Sequence, residues 1–182
     1  MAKWRDQGYY EKTISLNLSS RQVRDKGYIN FLSQSLQRYR VNPESLEIEI
    51  TESILLDEDE STLNFILALK EMGLNIVLDD FGTGYSSINY LTYIPVKKIK
   101  MDKSLIDKFL CMHNYQVIQS IIALAHSLDL AITAEGIENS KQFGLLKENG
   151  CDFVQGFLFS KPLTTEEIPE IYYKNYLYAA NS

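Results

Sequence analysis

The sequence has little cysteine: two residues in 182, Cys111 and Cys151. So few thiols exclude a disulfide-stapled secreted scaffold. Histidine is equally scarce, with only His113 and His126, so no His/Cys cluster of the kind that binds zinc is present. No apolar run approaches the roughly 20 residues that span a bilayer. The stretch Met1-Ala-Lys-Trp-Arg-Asp-Gln-Gly8 carries neither an apolar signal core nor a small-residue cleavage site. The expected location is therefore the cytoplasm, with no membrane segment. Basic residues are outnumbered, 18 Lys and Arg against 24 Asp and Glu, for a net charge of −6. That balance argues against a protein that coats a DNA or RNA polymer, which needs clustered cations.

What is present is ordinary for a folded domain. Hydrophobic residues make up 45% and aromatics 12%, which excludes a disordered or collagen-like chain. Short β-rich runs alternate with helical patterns. Six strands are expected, at Thr13–Leu18, Leu46–Ile50, Asn75–Asp79, Val96–Met101, Leu130–Ala134 and Asp152–Gln155. Three helices are read from their apolar faces. Ser61–Met72 carries Leu63, Ile66 and Leu67, and Asn114–Leu128 carries Val117, Ile118, Ile121, Ile122 and Ala125. Asn139–Glu148 is capped by Asn139 and stopped by Gly150. Strand–helix alternation predicts an α/β fold of right-handed βαβ units with a parallel sheet, open or closed into a barrel. Pro162–Pro169 reads as a loop into a last helix, and the aromatic tail Tyr172–Tyr178 as a helix packed on the domain or, alternatively, a partner surface.

Polar residues fall at the ends of these strands: Asn17, Glu49 with Glu52, Asp79 with Asp80, Lys100 with Asp102, Glu135 with Glu138, and Gln155. In parallel α/β folds the strand C-termini surround the ligand site. One acid there is commonplace, because Asp often caps the next helix. A succession of them points to cations, since assembled carboxylates repel one another. Oxygen ligands favour hard ions such as Mg²⁺ or Mn²⁺. A carboxylate shared by two ions, with a second acid adjacent, suits a two-metal site acting on a phosphodiester. A lysine beside them would orient water or meet developing negative charge. His113 and His126 read as surface or helix-packing residues. Asp80-Phe-Gly-Thr-Gly-Tyr-Ser-Ser87 reads either as a flexible turn or as a mobile loop that places Asp80.

Glu49-Ile-Thr-Glu52, Asp79-Asp-Phe-Gly-Thr-Gly-Tyr-Ser-Ser87, Ile99-Lys-Met-Asp102, Ala134-Glu-Gly-Ile-Glu138 and Gly150-Cys-Asp-Phe-Val-Gln-Gly156 occur in this order. Ser15-Leu-Asn-Leu-Ser19 and Phe159-Ser-Lys-Pro162 extend the pattern. Together they resemble the EAL-domain family, bacterial phosphodiesterases that open cyclic di-GMP to linear pGpG. The resemblance implies a TIM-like (β/α) barrel, a Mg²⁺ or Mn²⁺ requirement and frequent dimerisation. It assigns Asn17, Glu49 and Asp79 to a first metal, and Asp79, Asp80 and Glu135 to a second metal and the attacking water. Lys100 matches the lysine that contacts that water. Glu52 matches the acid that holds the glycine loop. Glu138 and Gln155 match supporting residues, Gln155 nearest the substrate. Met101 and Leu105 replace the more usual Ile and Phe, a mild apolar change.

One departure is larger. The Glu-Ala-Leu motif that names the family, whose glutamate is a metal ligand, is absent, as is the substrate-contacting arginine that follows it. Glu44-Ser45-Leu46 lies after Asn17, where the family order does not place it. The resemblance thus implies a single partial domain over residues 1–182, incomplete by the first strands and a helix, with about six of eight strands. Three expectations compete. The chain hydrolyses cyclic di-GMP, with turnover impaired by the missing ligand and arginine. Alternatively it is an inactive module that binds cyclic di-GMP or a protein. As a third, its open sheet edges lead it to self-associate, as a homodimer or by exchange.

Overall fold

The computed structural model describes residues 2–9, 13–55, 60–83, 91–111 and 114–171. Residues 84–87 of the glycine loop, His113 and the 172–178 tail lie outside the described residues. The chain forms two compact units, Met1–Ile99 and Lys100–Ser182.

The first unit holds helix α1 (Ala2–Asp6), strand β1 (Ile14–Asn17), helices α2 (Ser20–Val23) and α3 (Tyr28–Tyr39), strand β2 (Leu46–Thr51), helices α4 (Glu52–Leu55) and α5 (Glu60–Glu71), and strand β3 (Asn75–Phe81). Strands β1, β2 and β3 pair in parallel, with Ser15 beside Glu47, Asn17 beside Glu49 and Thr51 beside Asp79. Residues of a strand alternate between faces, and the two faces here differ in chemistry. Ile48, Ile50, Ile76 and Leu78 are at most 1% exposed on the helix side. Ser15, Asn17, Glu47, Glu49 and Asp79 share the opposite, polar face. Helix α5 buries Phe65, Ile66 and Leu69. Leu67, expected on that stripe, is 40% exposed. A 3.6-residue period that buries 65, 66 and 69 turns position 67 to solvent.

Strand β4 (Lys98–Met101) runs across the boundary. In the second unit follow α6 (Lys103–Cys111), α7 (Tyr115–Ser127), β5 (Ala131–Ala134), α8 (Ser140–Glu148), β6 (Phe153–Val154) and α9 (Ile168–Ile171). Strands β5 and β6 are parallel, with Thr133 beside Phe153. Helix α7 packs on β5 and buries Ile118, Ile122 and Ala125. Helix α8 has the anticipated cap. The Asn139 side chain accepts from the Gln142 amide at 3.0 Å, while Gln142 Oε1 accepts from the Asn139 amide. This reciprocal arrangement satisfies two otherwise orphaned helix donors.

Strand order follows chain order, β1-β2-β3-β4-β5-β6. The parallel pairings and intervening helices are those of the α/β fold of the TIM-like barrel class, and the described residues hold six of the eight strands such a barrel takes. Several expected boundaries shift inward: β4 begins at Lys98 and β6 is only Phe153–Val154. Helices α3 and α6 were not anticipated. Helix α3 buries Leu32 and Leu36 and has no side-chain N-cap. Helix α6 starts two residues after its strand, where Asp102 accepts the Ser104 amide at 2.8 Å.

Candidate active site

In the first unit, the candidate ligands project from the polar face near the strand C-termini. Glu49 and Asp79 are each 8% exposed, whereas Asn17 on β1 is exposed. Two carboxylates and a carboxamide on adjacent parallel strands form an all-oxygen donor set, which fits a hard divalent cation.

Asp80 breaks the alternation that would send it to the apolar side with Leu78. Its φ is 57°, the left-handed region, which non-glycine residues enter at a cost, Asp and Asn more readily than most. The turn lets the Asp80 amide donate to Asp79 Oδ1 at 3.0 Å. It also brings a carboxylate oxygen of Asp80 within 4.8 Å of one of Asp79. Two like charges so near are costly without a compensating cation. Just beyond, Gly82 takes φ 94°, and its amide donates to Oε1 of buried Glu52 at 3.3 Å. Glu52 heads α4, so β2 and its following helix fix the start of the glycine loop.

In the second unit, Lys100 Nζ lies 2.8 Å from Glu135 Oε1, with both side chains largely withdrawn from solvent. The Glu135 amide donates to the Met101 carbonyl at 3.0 Å, so β4 and the end of β5 hold the pair together. Breaking one member of such a pair is far costlier than breaking a surface pair, because it strands a buried charge.

Glu138 is half-exposed and forms an ion pair with Lys103. Sequence reasoning missed Lys103. Gly136, at φ 68°, explains how it reaches: a Cβ there would stand 2.5 Å from the Lys103 side chain. Donating to the Glu138 carboxylate raises the Lys103 ammonium above its ordinary pKa. Gln155 is exposed; its amide donates to Ala134 O at 2.8 Å and its carbonyl accepts from Ile137 at 3.1 Å. His126 is also exposed, and pairs with Asp152 at 3.0 Å.

Residues 1–162 match the family model described as EAL domain. The chain is 40% identical over 168 residues to signaling protein YkoW of Bacillus subtilis, covering 92% of this chain and 21% of that protein. It is 38% identical over 181 residues to cyclic di-GMP phosphodiesterase PdeR of Escherichia coli, covering 97% and 27%. Among solved structures, the PaMucR phosphodiesterase in complex with c-di-GMP superposes with a TM-score of 0.85 at 34% identity, covering 92% of this chain and 68% of that one. The chain thus spans about a quarter or less of the length of these curated relatives. Carrying the family's motifs on strands of the matching order, the chain belongs to the EAL domain family.

Proposed function

We propose that this chain hydrolyses cyclic di-GMP to linear pGpG with the help of Mg²⁺ or Mn²⁺. The observation that carries the reading is the Asp79–Asp80 arrangement. A left-handed Asp80 turns its carboxylate toward that of Asp79, at the end of a face that already presents Asn17 and Glu49. An all-oxygen set of this kind suits divalent ions. The relatives named as phosphodiesterases and the PaMucR complex with c-di-GMP supply the substrate class.

In this reading Asn17, Glu49 and Asp79 hold one cation, and Asp79, Asp80 and Glu135 serve a second. Bound divalent ions supply charge neutralisation at the phosphodiester and a water of lowered pKa. Lys100, held by Glu135, would meet the attacking water and the phosphoryl oxygens, where negative charge grows. Glu52 holds the glycine loop through the Gly82 amide, and so sets where Asp80 sits. Glu138, steadied by Lys103, and Gln155 support the substrate side. Attack by water on phosphorus breaks one P–O3′ bond. The opened ring keeps a 5′-phosphate at one end and a 3′-hydroxyl at the other. The protein is further proposed to act in the cytoplasm and to self-associate.

The test is product formation by the purified chain with cyclic di-GMP and millimolar Mn²⁺ or Mg²⁺, followed by chromatography. pGpG should accumulate, stop on chelation, and vanish in Glu49→Gln and Lys100→Ala. Binding of the dinucleotide without any pGpG would replace this reading with that of a non-hydrolysing binding module.

A further inference from the structure

The polar face carries a second layer, one step below the candidate ligands. Ser15, Glu47 and Lys98 each stand two residues before a proposed site residue on the same strand: Asn17 on β1, Glu49 on β2 and Lys100 on β4. Two residues along a strand return a side chain to the same face, about 7 Å away. Each oxygen of Glu47 has a partner. Lys98 Nζ meets Oε1 at 2.5 Å, and Ser15 Oγ donates to Oε2 at 3.0 Å. The pair is mostly withdrawn from water, at 19% side-chain exposure for Lys98 and 14% for Glu47. In the same row the Asn75 amide is turned away to the Glu44 carbonyl at 2.8 Å. It therefore does not compete for Glu47.

A full ion pair on an inner face needs a reason, since burying opposite charges is seldom better than burying apolar groups of similar size. We infer that Glu47 and Lys98 form a charge-balanced floor that positions the cation-binding acids above them and sets how tightly they hold a cation. The pair is neutral as a whole, so the acid row above experiences a weak field. Each member alone is a unit charge on the floor of that row. Neutralising Glu47 adds a net positive charge to that floor and repels an incoming divalent ion; neutralising Lys98 adds a net negative charge and attracts it. Glu47 and Lys98 act through Glu49 and Asp79 and touch no substrate, so they are positioning residues. The inference rests on the divalent-ion reading proposed above.

Opposed charges give opposed outcomes, which a merely structural role does not. The experiment is a Mn²⁺ titration of the full chain, with free ion followed by electron paramagnetic resonance and folding checked by circular dichroism. Glu47→Gln keeps the size and an acceptor for Ser15, and should weaken Mn²⁺ binding about tenfold, taking a water-like screening for this face. Lys98→Met keeps the length without the charge, and should strengthen binding by about the same factor. The double variant Glu47→Gln/Lys98→Met should return near the wild-type affinity. Two single variants that shift affinity in the same direction, or not at all, overturn the inference while leaving the divalent-ion reading intact. A wild-type chain that takes up no Mn²⁺ at millimolar ion overturns both, and is recognised because the wild type itself is silent. Should a single variant not fold, the folded double decides: unchanged affinity supports the balance and a loss overturns it.

Discussion

Replacing Gly156 by alanine places a methyl group inside another segment's backbone. A Cβ at Gly156 would lie 2.1 Å from the Ile137 carbonyl oxygen, 2.3 Å from its nitrogen and 2.7 Å from its carbonyl carbon, where ordinary contact begins at 3.4 Å. None of these atoms belongs to a side chain that can swing aside. The two segments must separate, and three hydrogen bonds resist: Ile137 N to Gln155 O at 3.1 Å, Leu158 N to Ile137 O at 3.0 Å, and Gln155 N to Ala134 O at 2.8 Å. Stretching two of them costs about 1 kcal/mol each. Residual overpacking adds roughly 1–3 kcal/mol. The expected destabilisation is therefore about 3–5 kcal/mol, or a fall in Tm of roughly 6–20 °C for a chain of this size. Urea denaturation of the full chain, followed by circular dichroism, measures it. Gly144→Ala is the internal control. Gly144 lies inside α8 with nothing within 4 Å of a Cβ, so alanine there should add about 0.5–1 kcal/mol through helix propensity. A Gly156→Ala chain within 1 kcal/mol of wild type would refute the reasoning, because it would mean that residues 137 and 156 do not approach as described.

Asp80→Gly removes both the cost of a left-handed non-glycine residue and a charge beside Asp79, so the metal-free chain should gain about 1 kcal/mol. The rise in Tm that Mn²⁺ produces in the wild type should shrink, and a metal-free variant less stable than wild type counts against this. Burial pushes the Cys151 thiol up from 9.0 to about 11. Its neutral form is favoured in the fold, so this stabilisation is complete below pH 9 and is lost as pH rises from 9 to 11. Iodoacetamide at pH 8 should alkylate Cys151 slowly in the native chain and readily in urea, as read by peptide mass spectrometry; equal rates contradict the assignment. Asn139→Ala removes the α8 cap and should cost about 1 kcal/mol, measured as a shift in the urea midpoint with unchanged slope.

Most strand positions were legible because period-two alternation and turn residues are local signals. Leu46–Ile50 needed no partner to be recognised: its apolar residues, spaced by two, are the ones now buried at β2. The start of α8 was legible for the same reason, through its Asn139 cap, whereas the Ser19 cap of α2 was passed over. Helix α3 was not, although Ile29, Leu32 and Leu36 share one helical face, because no side-chain cap marks its start at Gly27. The misplaced Leu67 has a related cause. Leu63, Ile66 and Leu67 satisfy a helical spacing, but so do Phe65, Ile66 and Leu69. Only the surface that α5 meets, strand β3, selects between them.

The site divides along a similar line. Which residues gather at strand ends follows from the chain alone, since a strand end is a local feature. How each side chain is aimed does not. Simple alternation assigns Asp80 to the apolar face, opposite Asp79, and only the φ of 57° turns it back toward its neighbour. Lys103 escaped notice because its pairing with Glu138 depends on the missing Cβ of Gly136, 33 residues along the chain. Ser15, Glu47 and Lys98 escaped for the opposite reason. Each sits in an alternation that looks ordinary on its own strand, and their meaning appears only when register places Ser15 beside Glu47 and the ion pair to Lys98 closes. A sequence read strand by strand therefore finds the acids that a cation needs, and overlooks the charges that decide how strongly it is held.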